Sequence, residues 1–412
     1  MMHTIVLIEP TIHPAGVQLL KEKARVVMAP DGGEQTLIRA IQESGAQGLL
    51  PRIEPITRHI IESCPTLQVI AEPGVGLDNI DVAAATERGV RVLHVPDGNY
   101  TTVSEHAMLF ILASAQNLIR ADANVRRGNW RYRDTNLPSD IAGKTLLVAG
   151  FGRIGREVAK KAQTFGMRVL AYDAFVPAGQ MLETGAEKVE VLEDGLRRAD
   201  FVSIHLPLTP ETRGLFSTAQ FEAMKQSAYL CNLGRGPVVD EAALYRALVG
   251  GIIAGAALDV FDPEPPFAEN PLFQLDNVIL TPHSGGDTRE SRERLAVRAA
   301  GALLAALDGE TPLVNWANRR DMEARWKPFF TCGRQGFNNH QEKEYSHEKI
   351  SLFACSRRTR FHHAVRLRST NGRAVRRGRR GHRRGRGPAK RNHRPRAAAC
   401  RRERGAQAEP RR

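Results

Sequence analysis

The chain has 412 residues, enough for two or three domains that each bury a core, and its 42% hydrophobic share fits a globular protein. Its formal net charge is +14, but the residues after 330 contain 25 basic and 5 acidic side chains, whereas the first 330 contain 34 basic and 40 acidic ones. The mildly acidic body therefore lacks the charge of a nucleic-acid-binding domain, and the excess positive charge belongs to the last fifth of the chain.

From residue 3 to 96, short β-branched runs alternate with segments of helical pattern. The predicted helices lie near 14–22, 34–43, 55–63 and 79–88. The predicted strands are TIVLIE, ARVVMA, AQGLLP, LQVIAE and VRVLHV. Strands that are apolar on both faces are typical of a parallel sheet covered by helices on each side. This part of the chain is therefore predicted to be an α/β unit.

A second alternation of the same kind runs from residue 145 to 283. Its predicted strands are TLLVAG, MRVLAYD, DFVSIHLP, AYLCNLG, IIAGAALDVF and NVILTPH. A long helical segment from about Thr102 to Arg127 joins the two units, and a further helix is predicted from about Thr288 to Leu307. Because this last helix can cross back onto the first unit, we expect a discontinuous domain of residues 1–100 with 287–320 and an inserted domain of residues 101–286.

Cysteine usage and the N-terminal sequence indicate the cell compartment. Only Cys64 and Cys231 of the five cysteines lie in the body, without the spacing of a disulfide framework or a metal site, so we expect no metal. The N-terminus lacks a basic region followed by an apolar run, and no stretch reaches the roughly 20 apolar residues of a membrane span. We predict a soluble cytoplasmic protein that does not bind membranes.

A glycine-rich loop, VAGFGRIGREVA, lies between a predicted strand and a predicted helix. Gly150 lets the chain turn sharply off the strand, Gly152 leaves room for a pyrophosphate, and Gly155 lets the helix pack closely on the sheet. The helix N-terminus then offers unpaired N–H groups to the phosphates. The spacing predicts a dinucleotide-binding loop; its alternative is a glycine-rich turn that binds nothing.

The next predicted strand ends in Asp173, eighteen residues after Gly155, where a carboxylate can accept hydrogen bonds from the adenosine ribose hydroxyls. The residues that follow are Ala174 and Phe175 rather than an arginine. A 2′-phosphate would therefore meet an unfavourable charge. The cofactor is predicted to be NAD rather than NADP.

Three polar residues follow later strands of the second unit: Arg235, Glu264 and His283. A guanidinium can bind a carboxylate through two parallel hydrogen bonds. A histidine can donate a proton to a carbonyl oxygen, and a neighbouring carboxylate favours its charged form. Each residue alone is more often a solvated loop residue, but together they predict a 2-oxo acid reductase with these three as catalytic residues.

The motifs of the chain resemble those of the D-isomer-specific 2-hydroxyacid dehydrogenase family over about residues 3–318. Besides the glycine loop they are PGVGLDNID (73–81), VSEHAMLFILA (103–113), HLPLTPETRGL (205–215), NLGRGPVVDE (232–241), DVFDPEPP (259–266) and TPHSGG (281–286). The resemblance implies an α/β protein with a flavodoxin-like substrate domain, a Rossmann NAD-binding domain and a cleft between them. It also implies a homodimer formed through the NAD-binding domain.

The resemblance assigns roles to individual residues. It implies that Arg235 binds substrate, that His283 is the acid/base with Glu264 as its partner, and that the backbone of Val75 and Gly76 meets the substrate carboxylate. The cofactor contacts that it implies, beyond the three glycines of the loop, are Arg153, Ile154, Asp173, Leu233, Gly234, Asp259, Gly285 and Gly286.

The substrate is predicted to be a small D-2-hydroxy acid or 2-oxo acid of the hydroxypyruvate, glyoxylate or 3-phosphoglycerate class. Arg52, after a first-unit strand, is a candidate to bind a substrate carboxylate or phosphate, with a surface arginine as the alternative. Glu72 lies two positions before the GVG triplet, where a negative charge would repel a phosphate. An alternative function is a dinucleotide-sensing, corepressor-like interaction protein of the same fold.

The segment 330–412 has no apolar periodicity and becomes rich in Arg, Gly, Ala and Pro. We predict a disordered, basic, low-complexity tail. One hypothesis is an electrostatic arm that binds nucleic acid or another anionic surface without specificity. The favoured hypothesis is a frameshift or readthrough product, because this composition is typical of GC-rich DNA translated in a wrong frame. A nucleic-acid partner is therefore expected only if the tail is a genuine part of the protein.

Overall fold

The structure is a computed structural model that describes residues 2–8, 12–312 and 314–323. Two mostly parallel sheets with helices on their faces make up this part of the chain, which confirms the predicted α/β fold class. The predictions for the tail, residues 330–412, lie outside the described residues. No helix among the described residues is long and apolar enough to cross a membrane. The same residues contain no cluster of side chains suited to a metal ion.

The first sheet has six strands in the order β13-β5-β4-β3-β1-β2. All its pairings are parallel except that of the last strand with β5. Its core strands are buried on both faces, as in β1, where every residue is buried, so both faces must be covered by helices. The strands are β1 (Thr4–Ile8), β2 (Arg25–Ala29), β3 (Gly48–Leu50), β4 (Val69–Glu72), β5 (Arg91–His94) and β13 (Asn315–Trp316).

Four helices alternate with the strands of this first unit, in agreement with the prediction. One of them begins where the Asp81 carboxylate accepts a hydrogen bond from Ala84 N at 2.7 Å, and it ends at Gly89, which has a φ of 72°. The helices are α1 (Pro14–Lys23), α2 (Glu34–Ser44), α3 (Arg58–Ser63) and α4 (Val82–Arg88).

The segment between the units contains three helices: α5 (Tyr100–Ala115), α6 (Leu118–Arg126) and α7 (Tyr132–Thr135). The prediction of one continuous helical segment from Thr102 to Arg127 was wrong in this respect. Asn117 has a φ of 50°, in the left-handed region that breaks a helix and that asparagine tolerates better than most residues. The chain therefore changes direction between α5 and α6.

The second sheet has seven parallel strands in the order β12-β11-β10-β9-β6-β7-β8. The predicted strands are confirmed, with the two-residue β8 as an addition. The strands are β6 (Thr145–Ala149), β7 (Arg168–Tyr172), β8 (Glu187–Lys188), β9 (Phe201–Ile204), β10 (Tyr229–Asn232), β11 (Gly255–Leu258) and β12 (Val278–Leu280). The helices between them are α8 (Arg153–Thr164), α9 (Ala178–Glu183), α10 (Leu192–Arg198), α11 (Thr218–Ala223) and α12 (Glu241–Val249), with 3₁₀ helices at Gly236–Val238 and Pro271–Gln274.

The last long helix, α13 (Arg289–Leu307), packs on the first unit. It starts where the Thr288 hydroxyl accepts a hydrogen bond from Ser291 N at 3.1 Å. The helix lies so close to α1 that a Cβ at Gly16 would come within 2.8 Å of Ala296. Its apolar face, which includes Leu303, joins the core on one face of the first sheet. Beyond α13 the chain adds β13 to the edge of that sheet, antiparallel to β5.

Candidate active site

The residues predicted from the sequence as cofactor and catalytic groups follow the carboxyl ends of strands in the second sheet. Open α/β sheets bind ligands at this edge. Across the sheet, the strand order places Asp173 after β7, the glycine loop after β6, Arg235 after β10, Glu264 after β11 and His283 after β12. The row therefore has the glycine loop on one side and the three candidate catalytic residues on the other.

The three glycines of the loop differ in their surroundings. Gly150 has a φ of 96°, and a Cβ there would lie 2.7 Å from the backbone carbonyl of His205. A Cβ at Gly155 would lie 2.1 Å from Gly150 O, so α8 can approach the loop only with glycine at this position. A Cβ at Gly152 would meet no described atom within 4 Å. Gly150 and Gly155 are needed for the protein's own packing, whereas Gly152 leaves open space at the loop.

Gly152 is the N-cap of α8 and supplies no capping side chain. The N–H groups in the first turn of a helix have no partner within the helix. Arg153 and Ile154 begin this turn, and Arg153 is exposed. An open cradle, free helical N–H groups and a nearby guanidinium fit a pyrophosphate.

Asp173 lies at the end of β7 beside the glycine loop. Its Oδ2 accepts a hydrogen bond from Phe151 N at 2.8 Å, and its Oδ1 accepts bonds from Phe175 N at 2.9 Å and Val176 N at 3.1 Å. The carboxylate therefore joins the glycine loop to the loop after β7. Its negative charge lies beside the loop in the place predicted from the sequence.

The remaining predicted cofactor contacts line the end of the row near His283. Leu233 is buried, and Gly234 N donates to Asn232 Oδ1 at 3.1 Å. Asp259 is buried and accepts hydrogen bonds from Thr281 Oγ1 at 2.6 Å, Ser284 N at 2.8 Å and Gly285 N at 2.9 Å. Beside them, a Cβ at Gly286 would lie 2.7 Å from Asn99 Nδ2. Asp259 thus anchors the loop that follows β12.

His283 and Glu264 form a hydrogen-bonded pair. Nδ1 of His283 lies 2.7 Å from Oε2 of Glu264, while Phe261 N donates to the other carboxylate oxygen at 2.9 Å. The hydrogen bond to Glu264 raises the pKa of His283, against an opposing effect of burial. Burial favours the neutral form of Glu264, but hydrogen bonds from His283 and Phe261 hold the pKa of that carboxyl below its ordinary value. The pair therefore favours an imidazolium beside a carboxylate.

The backbone of His283 is held in an unusual conformation. Its φ is 50°, and its N–H donates to Asp259 O at 2.8 Å. With Nδ1 bound to Glu264, the proton for exchange with a ligand is carried on Nε2. No hydrogen-bond partner for that nitrogen occurs among the described side chains and backbone groups.

Arg235 reaches from the second unit to the loop after β4 of the first. Its Nε donates to Asp78 Oδ2 at 2.7 Å, and its Nη1 donates to Gly234 O at 2.8 Å. A Cβ at Gly76 would lie 1.8 Å from Nη2, so only glycine admits the guanidinium here. The positive charge of Arg235 also lowers the pKa of His283, though less than Glu264 raises it. Arg235 and His283 therefore act on the same small region.

The loop of Val75 and Gly76 lies against this guanidinium. The carbonyl of Val75 is held by His94 Nδ1 at 3.0 Å. Among the described residues, the N–H groups of Val75 and Gly76 have no acceptor. Two free N–H groups beside an arginine form a site that suits a carboxylate.

Arg52 and Glu72 lie in surroundings that the sequence did not predict. The guanidinium of Arg52 is bound to Asp287, with 2.5 Å between Nη2 and Oδ2. Glu72 is only 3% exposed and accepts a hydrogen bond from Asn79 Nδ2 at 3.2 Å. Burial raises the pKa of Glu72 to about 8, so its neutral form prevails at neutral pH. The expectation of a phosphate-repelling charge at Glu72 was therefore wrong.

Comparison with known proteins identifies the family. Residues 108–285 match the family model for the NAD binding domain of D-isomer specific 2-hydroxyacid dehydrogenases. Glyoxylate reductase of Korarchaeum cryptofilum is 43% identical over 64% of this chain and 80% of that protein. The chain belongs to the D-isomer-specific 2-hydroxyacid dehydrogenase family. This result confirms the resemblance stated from the motifs, and the family model confirms NAD as the cofactor of the second unit.

Two further members of this 2-hydroxyacid dehydrogenase family show the extent of the similarity. D-3-phosphoglycerate dehydrogenase of Methanocaldococcus jannaschii is 40% identical over 74% of this chain, and the chain spans 58% of that protein's length. The structure of D-lactate dehydrogenase from Aquifex aeolicus, complexed with NAD and lactic acid, is 29% identical, with a TM-score of 0.66 over 74% of this chain and 96% of that one. The family fold thus extends over both sheets.

The partners of the predicted site residues of this family member were not predicted from the sequence. Asp78, Asp287 and His94 were not singled out, although the first two contact predicted arginines. His106 was also missed: its Nε2 lies 3.2 Å from Thr281 Oγ1 and 4.0 Å from Asp259 Oδ1. Asp78 and His106 lie inside the motifs PGVGLDNID and VSEHAMLFILA, and their place in these motifs could have indicated them as site residues. Asp287 follows the last motif directly, and His94 had no comparable signal.

Proposed function

We propose that the chain is an NAD-dependent dehydrogenase that interconverts a small D-2-hydroxy acid and its 2-oxo acid. The observation that carries the proposal is the meeting of three groups: the Arg235 guanidinium against Gly76, the free N–H groups of that loop, and the His283–Glu264 pair. The first two suit the carboxylate of an oxo acid. The third suits proton exchange with the oxygen on the adjacent carbon.

In the direction of reduction, Arg235 and the N–H groups of Val75 and Gly76 bind the carboxylate and orient the oxo group. The hydride for the carbonyl carbon would come from bound NADH. His283 donates the Nε2 proton to the carbonyl oxygen, and Glu264 stabilises the charged imidazole before the transfer and fixes the ring. In the opposite direction neutral His283 accepts the hydroxyl proton. Arg52 is proposed as a further substrate contact.

The residues of the second unit fit the dinucleotide along the sheet edge. The glycine loop, Arg153 and Ile154 would hold the pyrophosphate, and Asp173 would bind the adenosine ribose. At the other end, Leu233, Gly234, Asp259, Gly285 and Gly286 would line the nicotinamide side. The charge of Asp173 beside the loop supports NAD over NADP, because a 2′-phosphate would lie next to a carboxylate.

The substrate class that we propose is hydroxypyruvate, glyoxylate or 3-phosphoglycerate with its oxo acid. Two of the three relatives named above support it, since they are a glyoxylate reductase and a D-3-phosphoglycerate dehydrogenase. Their names are those of catalytic activities, which favours the enzyme over a corepressor-like interaction protein. The hydrogen-bonded acid/base pair also favours the enzyme, because a sensor that only binds NADH does not need it.

We propose that the substrate domain consists of residues 1–100 with 287–320 and that the NAD-binding domain consists of residues 101–286. The packing of α13 on α1 supports this division.

We further propose a homodimer formed through the NAD-binding domain. Helix α6 buries none of its residues, and a set of large apolar side chains on and around it is at least half exposed: Leu109, Leu118, Ile119, Val125 and Trp130. Light scattering of wild-type protein and of Ile119→Asp tests the dimer; a monomeric wild type would contradict it.

We propose a cytoplasmic location from the two body cysteines. Both are buried and free, and burial raises the pKa of Cys64 to about 11 and that of Cys231 to about 12. Inert, unpaired thiols suit a reducing compartment. Fractionation of the source cells with an antibody to the chain tests the location.

The experiment that tests the activity is NADH oxidation with a panel of 2-oxo acids. We expect turnover of glyoxylate or hydroxypyruvate by the wild type, and loss of turnover in Arg235→Ala and His283→Ala with unchanged NADH binding. Tight binding of NADH without turnover of any 2-oxo acid would favour the corepressor-like function instead.

A further inference from the structure

The charge of Arg52 is offset by a specific partner. Asp287 Oδ2 accepts hydrogen bonds from Arg52 Nη2 at 2.5 Å and from Arg292 Nη2 at 2.8 Å. The side chains of Arg52 and Asp287 are only 24% and 21% exposed. Burial favours the neutral form of Asp287, but the two arginines hold the pKa of its carboxyl below the ordinary value. Asp287 is therefore a carboxylate at neutral pH and binds Arg52 as an ion pair.

This carboxylate belongs to the same loop as the acid/base. Asp287 lies four residues after His283, and its N–H donates to Ser284 O at 2.9 Å in the turn between them. Arg52 lies two residues after the end of β3 in the first unit, so the pair joins the loop of His283 to the strand ends of the first sheet. A group that approached Arg52 would also approach Asp287.

A second carboxylate lies beside Arg52. Glu54 Oε2 accepts a hydrogen bond from Arg52 N at 2.8 Å and from Ile53 N at 3.1 Å. In the cluster of Arg52, Arg292, Asp287 and Glu54, Asp287 pairs with both guanidinium groups, and Glu54, bound to the backbone N–H of Arg52, adds a second negative charge. A phosphate bound by Arg52 would have to break the bridge to Asp287 and remain beside two carboxylates. A neutral hydroxyl can accept or donate a hydrogen bond here without breaking the bridge.

We propose that Asp287 determines substrate specificity by neutralising Arg52. The site then takes 2-oxo acids whose remaining chain is short and uncharged, and it discriminates against those with a distal phosphate or second carboxylate. This inference rests on the proposed function and narrows its substrate class from three candidates to the unphosphorylated ones. The discrimination is electrostatic, since the distal anion of the unwanted substrate meets the like charge of Asp287.

The test is the ratio of kcat/KM for 3-phosphohydroxypyruvate to that for hydroxypyruvate, both with NADH and the full chain. We expect the wild type to favour hydroxypyruvate. In Asp287→Asn, which keeps the shape and removes the charge, the ratio should rise by about five- to tenfold, in keeping with a partly buried charge pair. Adding Arg52→Gln to that variant should remove the gain, because the phosphate then has no cation to bind.

A matched control is Asp97→Asn. Asp97 also pairs with an arginine of α13, at 2.9 Å from Arg298, but it takes no part in the cluster around Arg52. The ratio should not change in this variant. If Asp287→Asn still turns over hydroxypyruvate but its ratio of kcat/KM values equals that of the wild type, the role of Asp287 is overturned while the proposed function stands. A wild type that prefers the phosphorylated acid would also overturn it, even if Asp287→Asn failed to fold. Absence of turnover with every 2-oxo acid would instead overturn the proposed function.

Discussion

Nδ1 of His283 and Oε2 of Glu264 lie 2.7 Å apart, although the two residues follow different strands of the sheet and are separated by nineteen positions in the chain. The bond determines which imidazole nitrogen is left for a ligand, and it raises the pKa of the ring. A histidine that must deliver a proton near neutral pH gains from both effects. This hydrogen bond should therefore set the pH dependence of the activity.

Replacing Glu264 by Gln should lower the pKa of His283, because the charged hydrogen-bond partner that raises it is lost. Reduction needs the imidazolium, so the alkaline limb of kcat/KM for the 2-oxo acid should move to lower pH. Oxidation needs the neutral ring, so its acidic limb should move to lower pH as well. Above neutral pH, reduction should fall by about 10- to 100-fold. Steady-state pH profiles in both directions check this, and profiles with unmoved limbs would show that Glu264 does not tune the ring.

The ion pair of Asp78 with Arg235 should matter for substrate binding. Asp78 binds Nε of Arg235 and leaves Nη2 without a partner among the described residues, so it orients the guanidinium without occupying the N–H groups that would bind a carboxylate. Asp78→Asn loosens this orientation, so KM for the oxo acid should rise by about three- to tenfold while kcat changes little. Asp194→Asn is the control, because Asp194 pairs with Arg197 at the same 2.7 Å on an exposed part of α10. Equal kinetic effects of the two variants would contradict a specific function of Asp78.

The glycines of the loop should respond differently to alanine. Gly152→Ala places its methyl group in open space at a φ of −72°, so the free energy of unfolding should stay unchanged while the Kd for NADH rises by about tenfold or more. Gly155→Ala drives a methyl group against Gly150 O and should lower the free energy of unfolding by about 1–3 kcal/mol. Denaturant unfolding and NADH fluorescence titration check both variants. Unimpaired NADH binding by Gly152→Ala would place the pyrophosphate elsewhere.

Asp173 should determine the choice between the two nicotinamide cofactors. Asp173→Asn removes the negative charge next to the loop and keeps one of the two oxygens that accept hydrogen bonds from backbone N–H groups. The preference for NADH over NADPH, measured as a ratio of kcat/KM values, should fall by about tenfold. If NADPH is already preferred by the wild type, Asp173 does not select the cofactor.

The helices and strands of this protein were largely readable from local patterns. The alternation of β-branched runs with helical segments predicted every strand of four or more residues described here, because parallel strands buried on both faces have few polar residues. The two-residue strands β8 and β13 were missed, since so short a pattern has no periodicity. The break at Asn117 was missed as well, because an asparagine is compatible with a helix until its φ becomes positive.

The candidate active site was also predictable only in part. Residues that follow strands in a parallel sheet could be predicted to meet, as Glu264 and His283 do. The partners of Arg235 and Arg52 lie 157 and 235 positions away, and no local pattern relates residues at such separations. The protonation of Glu72 also depends on its burial, which the sequence does not reveal. The sequence predicted a negative charge at this position, whereas the side chain is buried and its pKa is raised.

The proton-donor role of His283 is tested most directly by single-turnover reduction of glyoxylate or hydroxypyruvate by NADH bound to the full chain, in the wild type and in His283→Gln. We expect rapid oxidation of NADH by the wild type and a rate at least about 100-fold lower in the variant, with NADH affinity unchanged. A variant that oxidises NADH as fast as the wild type would contradict the assignment of His283 as the proton donor.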